Sequence, residues 1–233
     1  MTISIDRAAF FAGYRSAFGR LTQAQVVGLE TTLGFIEADP LPDRRWIAYY
    51  LATKKHECAD TWMPIEERGK LSYFEKYEPS TKLGAALGNT VHGDGHLYCG
   101  RGDVQLTGRA NYQRMGDLLG IDLVGNPDLA LVPLNAYRIA CVGMAKGLFT
   151  GRKFSDYFNA QTTDWVKARR IVNGNDKAKM IAGYAESFFG ILNASVREAL
   201  PLQAPGVPPP AGHDKLVLAV RAAIADLQRA IGE

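Results

Sequence analysis

The sequence has 233 residues, 47% of them hydrophobic and 22% charged, which suffices for one well-filled core and lies outside the disordered range. Twenty-seven basic and 24 acidic residues leave a net charge of +3, too mild to mark a nucleic-acid binder and suited to contact with an anionic polymer such as a cell wall. No run approaches the roughly 18 apolar residues of a membrane span, so stable membrane insertion is not expected. Asp6 and Arg7 interrupt the place where a signal peptide needs its apolar stretch, and synthesis in the cytoplasm is the expectation. Cys58, Cys99 and Cys141 are odd in number and lack C-x-x-C spacing, which favours reduced thiols over a disulfide framework or a zinc site.

From Phe10 to Ile36 apolar residues recur at helical intervals and predict two short helices, with Thr22 as an N-cap and Gln25 three residues on. The "PLPD" run at 40–43 breaks them, and a third helix is predicted from about Asp43 to Glu57. From Met63 to Arg101 the helical period is lost, and loops with a short hairpin or two are expected, as in a cleft lining. Helical pattern resumes at 109–121, 133–149, 162–172 and 176–200. Residues 201–213 hold five of the eleven prolines and read as a linker. An amphipathic helix is predicted within 214–233, and the catalytic part of the chain is expected to be 1–200. The fold class is mainly α.

Trp46, Tyr50, Thr53 and Glu57 fall on one face of the third helix, so Glu57 ends an aromatic stripe instead of pointing at solvent. Desolvation would raise the pKa of such a carboxyl, as a general acid requires. Glu66, nine residues on, would lie about 13 Å further along a continuous helix and on nearly the opposite face. Pro64 disfavours helical geometry at Met63, so the chain can instead return Glu66, or its neighbour Glu67, across a gap. Two carboxylates on separate elements are the equipment of an inverting glycosidase; an acid in so charged a stretch is otherwise a solvated surface group.

The string "YCGRGDVQLTGRANY" at 98–112 combines glycines that permit close backbone approach, the bidentate donor Arg101, the polar side chains Gln105, Thr107 and Asn111, and the aromatic rings of Tyr98 and Tyr112. That mixture suits sugars. A tight turn followed by a helix capped by Thr107, with Arg101 in a surface salt bridge, is the structural alternative.

The pairing of His56-Glu57 with "GRGDVQLTGRANY" resembles glycoside hydrolase family 19, the chitinases of plants and bacteria and related phage endolysins, and "RIVNGN" at 170–175 is similar to a third family motif. The resemblance covers about residues 43–175 and implies a lysozyme-like, two-lobed helical fold with a loop-rich or short-hairpin cleft segment. It implies Glu57 as general acid, Glu66 as general base and Thr107 as the residue holding the attacking water. Gln105, Asn111 and Asn173 match substrate-contacting positions, and Tyr98 and Arg101 match the cleft floor. His56 is read as a hydrogen-bonded residue orienting the helix end and is grouped with the substrate-binding residues. Cys58, Asn175 and Lys177 depart from the family pattern.

Family members need neither cofactor nor metal. His56, His92, Asp94, His96, Cys58 and Cys99 could be gathered into a metal site, but Asp60 stands where an H-E-x-x-H helix needs its second histidine. A cysteine peptidase lacks a local signature here, and a non-catalytic glycan-binding module does not need two acids. The absence of a signal peptide and of a disulfide framework favours, within the family, a monomeric endolysin cutting β-1,4 bonds of peptidoglycan strands after a separate membrane lesion admits it to the wall. Chitinase activity on N-acetylglucosamine polymers is the alternative.

Overall fold

The computed structural model describes residues 3–198, and the predicted linker at 201–213 and helix at 214–233 lie outside them. The order is β1 (Ile3–Ile5), α1 (Arg7–Phe18), α2 (Gln23–Ala38), α3 (Arg44–Glu57), β2 (Ile65–Glu66), α4 (Leu71–Phe74), α5 (Lys82–Ala86), α6 (Asp94–Leu97), β3 (Arg101–Gly102), α7 (Arg109–Leu119), α8 (Pro133–Lys146), α9 (Ala178–Ser195) and β4 (Val196–Glu198). Short 3-10 turns at Glu75–Tyr77, Pro127–Leu131, Phe154–Asp156 and Lys167–Ile171 complete the path. The fold is mainly helical, as expected. Among the described residues no helix is long and apolar enough to cross a membrane.

Local chemistry explains the helix ends. Asp6 caps α1 by accepting from the Ala9 amide, and Asp43 caps α3 by accepting from the Arg45 amide at 2.8 Å. Thr22 and Gln25 close the predicted capping box on α2, each side chain taking the other residue's amide. Glycines in the left-handed region, Gly120 and Gly147, end α7 at Leu119 and α8 at Lys146, short of the predicted limits at 121 and 149.

Helices α3 and α9 pack along each other, and α1 closes against α9. Tyr14, Phe18, Trp62 and Phe188 interlock there, with ring centroids 4.9–6.1 Å apart. Among these rings Lys55 is buried and donates to the Tyr14 hydroxyl at 3.0 Å and to Asp60 at 2.7 Å.

Three expectations change. The predicted helix at 162–172 is a 3-10 turn at Lys167–Ile171, entered after a Phe158–Thr163 bridge and an Asp164 side chain that accepts from the Lys167 amide. The short turn buries Ala168, Arg169 and Ile171. The predicted helix at 176–200 ends at Ser195, because Val196–Glu198 pairs antiparallel with Ile3–Ile5, a long-range partner with no local signature. The segment 63–101 forms a β2–β3 ribbon, register Ile65↔Gly102 and Glu66↔Arg101, and also the short helices α4, α5 and α6.

Asp94 organises this segment. Its carboxylate, 2% exposed, accepts from Arg109 at 2.6 and 2.8 Å and from the amides of Thr90 and Val91. The Arg109 guanidinium, with these amides, holds its pKa down at about 2. A depressed carboxylate contributes stability that is complete above its unfolded value near 4 and disappears as pH falls through the folded value, a contribution of roughly 2.5 kcal/mol. Asp94→Asn is therefore expected to lower unfolding free energy at pH 7 by about 2 kcal/mol and to converge on wild type near pH 2. Urea titrations across that range measure both.

Candidate active site

The α3 stripe faces the 154–171 segment: Trp46 stacks on Phe154 at 5.0 Å, and its indole N–H approaches the Phe158 carbonyl at 3.4 Å. At the end of this stripe Glu57, 17% exposed, accepts from Arg169 Nη1 through Oε1 at 2.6 Å. Arg169 is 2% exposed and also donates from Nε to the Asp176 carbonyl at 3.0 Å. The aromatic stripe thus does not desolvate Glu57 alone: a buried guanidinium holds one of its oxygens, and Oε2 remains for a substrate.

Glu66 lies on β2, directly across from Arg101. Arg101 Nη2 is 2.6 Å from Glu66 Oε1, Nε is 3.0 Å from Asp128 Oδ1, and Nη1 donates to the Leu97 carbonyl at 2.8 Å. Cys99 Sγ sits 3.7 Å from the same Glu66 oxygen, and burial pushes this thiol up to about 11. Glu66 nevertheless keeps 45% of its side chain exposed, open to water on the side away from Arg101.

Glu67 differs in kind. Its carboxylate accepts from the hydroxyls of Tyr73 (2.7 Å) and Tyr77 (3.1 Å) and the Gly100 amide (3.1 Å), with Lys76 Nζ 3.6 Å away. Burial acts to raise its pKa, but these donors and the Lys76 charge outweigh burial and hold it below the ordinary glutamate value. Both oxygens are occupied in tying 66–67 to Tyr73 on α4, to Tyr77 in the 3-10 turn that follows it and to Gly100. A Cβ at Gly100 would meet Gln105 Oε1 at 2.8 Å and Glu67 Oε2 at 3.3 Å and would displace the Gln105 amide, and Gly102 adopts φ 89° beside the Ala130 carbonyl. The close approaches made by these glycines are to the protein itself.

Gln105, half-buried with φ 55°, donates to the Ile65 carbonyl at 3.0 Å. Thr107 donates to the Gln105 carbonyl at 2.8 Å, which leaves its hydroxyl lone pairs available, and Asn111 donates to the Thr107 carbonyl at 2.7 Å. Glu66, Arg101, Gln105, Thr107 and Asn111 therefore form one connected group. Asn173, exposed, follows Arg169 in the chain: its backbone amide donates to the Arg169 carbonyl at 3.0 Å, and its side-chain oxygen accepts from the Gly174 amide at 2.7 Å.

Three further residues expected at the site, Tyr98, Arg101 and His56, are placed as follows. Tyr98 is buried, its hydroxyl donates to the Val124 carbonyl and its ring packs on Tyr112 and under Arg109, so it supports the floor from behind. The guanidinium of Arg101, also buried, pairs with Glu66 through Nη2 and donates from Nη1 to the Leu97 carbonyl and the Tyr112 hydroxyl, while Nε lies 3.0 Å from Asp128 without making a hydrogen bond, so it is not a surface salt bridge. The His56 ring takes no hydrogen bond among the described residues; the helix end is held by its backbone carbonyl, which accepts from Ala59. Thr107 does not cap α7, whose N-cap is Gly108.

The sequence reading missed Arg169 and Asp128. Arg169 immediately precedes the "RIVNGN" run, but nothing in the Arg169-Arg170 pair tells which of the two turns inward. His92 contacts Glu78 at 3.0 Å, Asp94 serves Arg109, and the His96 ring meets Phe74 edge-on, so these side chains do not converge. Among the described residues no group of three or more His, Cys, Asp or Glu side chains is placed to hold a metal ion.

The family model for glycoside hydrolase family 19, described as Chitinase class I, matches residues 16–141. The chain is 35% identical over 98 residues to Chitinase 11 of Oryza sativa subsp. japonica, covering 42% of this chain and 34% of that protein. It is 30% identical over 109 residues to Endochitinase A2 of Pisum sativum, covering 45% and 33%. The matched part thus spans about a third of the length of these curated relatives. The crystal structure of chitinase C from Streptomyces griseus HUT6037 superposes with a TM-score of 0.53 at 20% identity, covering 82% of this chain and 93% of that one. With this shared fold and a family match over more than half its length, the chain belongs to glycoside hydrolase family 19, the class I chitinase family, with its lysozyme-like, two-lobed helical fold.

Proposed function

We propose that this chain hydrolyses β-1,4 glycosidic bonds of an N-acetylglucosamine-containing glycan with inversion, Glu57 protonating the leaving oxygen and Glu66 deprotonating the attacking water. The carrying observation is that two carboxylates on separate elements are each held through one oxygen by a buried arginine, Arg169 and Arg101. Holding one oxygen leaves the other for proton transfer and limits rotation of the carboxyl, which general acid and base catalysis needs. Thr107 holds the water, and Gln105, Asn111 and Asn173 contact the sugars.

Two polymers carry this bond. We favour peptidoglycan and the role of an endolysin, supported by the exposed cations Arg170, Lys177 and Lys179 close in sequence to Arg169, which suit a wall polymer bearing carboxylates. Chitin is the second reading, supported by the names of the chitinases to which the chain is similar.

Mass spectrometry of products released from purified peptidoglycan and from soluble chitin oligomers separates the two. Muropeptides with a new reducing end and little chitin cleavage are expected. Chitin fragments alone would make the chain a chitinase, and no product from either would favour a glycan-binding role. A retained anomer, read by NMR at early times, would overturn the mechanism.

A further inference from the structure

Two residues of α3 and its C-cap, Tyr50, Lys54 and Cys58, follow one another at four-residue spacing along one face and all close on a single side chain, Asp103. The Tyr50 hydroxyl donates to Asp103 Oδ2 at 2.7 Å, Lys54 Nζ donates to the same oxygen at 3.0 Å, and Cys58 Sγ lies 3.8 Å from Oδ1. The Lys54 and Asp103 side chains are 1% and 0% exposed. Burying such a pair costs desolvation that its attraction barely repays, and an apolar pair of similar volume often serves stability as well. A net gain in stability is therefore a poor reason for such a pair.

Its location gives a better reason. Lys54 precedes Glu57 by three residues on the same helix. Asp103 sits in the turn between Arg101, which holds Glu66, and Gln105 and Thr107. Gln105 is kept at φ 55° in that turn, a conformation that persists only where the surroundings over-determine it. Apolar faces can slide against each other by fractions of a side chain, whereas one oxygen receiving two donors from one helix face permits a single register.

We propose that the Lys54–Asp103 pair, with Tyr50, is a positioning device that sets the register of α3 against the 101–107 turn and so places Glu57 relative to Glu66 and Thr107. Neither Lys54 nor Asp103 touches substrate. The proposal rests on the reading of Glu57 and Glu66 as acid and base.

The test compares Lys54→Met combined with Asp103→Leu, Tyr50→Phe alone, and wild type on the glycan that wild type cleaves. Thermal unfolding and hydrogen exchange of the 101–107 amides are measured alongside. The double variant leaves the buried Tyr50 hydroxyl without its acceptor, so it is expected to melt a few degrees below wild type, to stay folded at the assay temperature, and to lose ~10²-fold in kcat, the scale of a misplacement of about 1 Å. Its KM should stay within about 2-fold of wild type, and the Leu106 amide, which donates to the Arg101 carbonyl, should exchange faster. Tyr50→Phe should lose kcat several-fold with KM unchanged. Native kcat in the double variant, or a loss that follows its unfolded fraction, would overturn the proposal. Should the double variant not fold, Tyr50→Phe decides, and native kcat there refutes the device. Glu57→Gln run in parallel keeps the two readings apart. Activity in that variant removes the acid assignment, while the exchange data still decide the register: unchanged protection refutes it, and faster exchange sustains it.

Discussion

Glu57→Gln is expected to lower turnover by ~10²–10⁴-fold, the usual worth of a general acid, with the fold retained. Glutamine keeps the shape of the side chain and can still accept from Arg169 Nη1, but it cannot deliver a proton to a leaving oxygen. Its cost to the fold is local. Arg169, 2% exposed, loses its counter-charge while keeping its bond to the Asp176 carbonyl, so a destabilisation of about 1–3 kcal/mol is expected. Product release and a thermal melt on the same preparation separate the two effects. Near-native turnover in a folded variant would remove Glu57 as the acid.

The second large effect is a contrast between neighbours. Glu66→Gln is expected to cost ~10²–10⁴-fold in turnover, because the side chain that would take the proton from water is the one left 45% exposed beside Arg101. Glu67→Gln should instead keep turnover within about tenfold and lose about 1–3 kcal/mol of stability, since its carboxylate is committed to Tyr73, Tyr77 and Gly100. The Glu67 pKa is depressed in the folded protein, so its stabilisation is present above the ordinary glutamate value and is lost as pH falls through the folded value. The stability difference between Glu67→Gln and wild type should therefore shrink in acid. Turnover lost at position 67 and kept at position 66 would exchange their roles. Kinetics and denaturant titrations at two pH values decide it.

Where the elements lie was largely readable from local rules. The capping box at Thr22 and Gln25, the start of α3 at Asp43 and the return of Glu66 after Pro64 all depend on residues within a turn or two of one another. The places where that reading failed are those where a distant partner overrides local pattern. Val196 leaves the helix to pair with Ile5, and Lys167–Ile171 tightens into a 3-10 turn as Arg169 turns inward.

The same division runs through the site. By itself the sequence determined the candidate residues: Glu57 at the end of a buried helix face, an acid at 66 or 67 beyond a proline, and a polar, glycine-bearing turn at 100–111. Only the tertiary structure decided how they are held. Glu57 is paired with Arg169 from 112 residues away, Glu66 with Arg101 across a two-residue ribbon, and Glu67 with Tyr73 and Tyr77. It also showed which groups hold Tyr98 and Arg101, the Val124 carbonyl for the one and Glu66 with the Leu97 carbonyl for the other. The reason is physical. Helical spacing and turn chemistry act between neighbours and leave a mark in local sequence, whereas an ion pair closed between segments a hundred residues apart depends on the packed fold and leaves none.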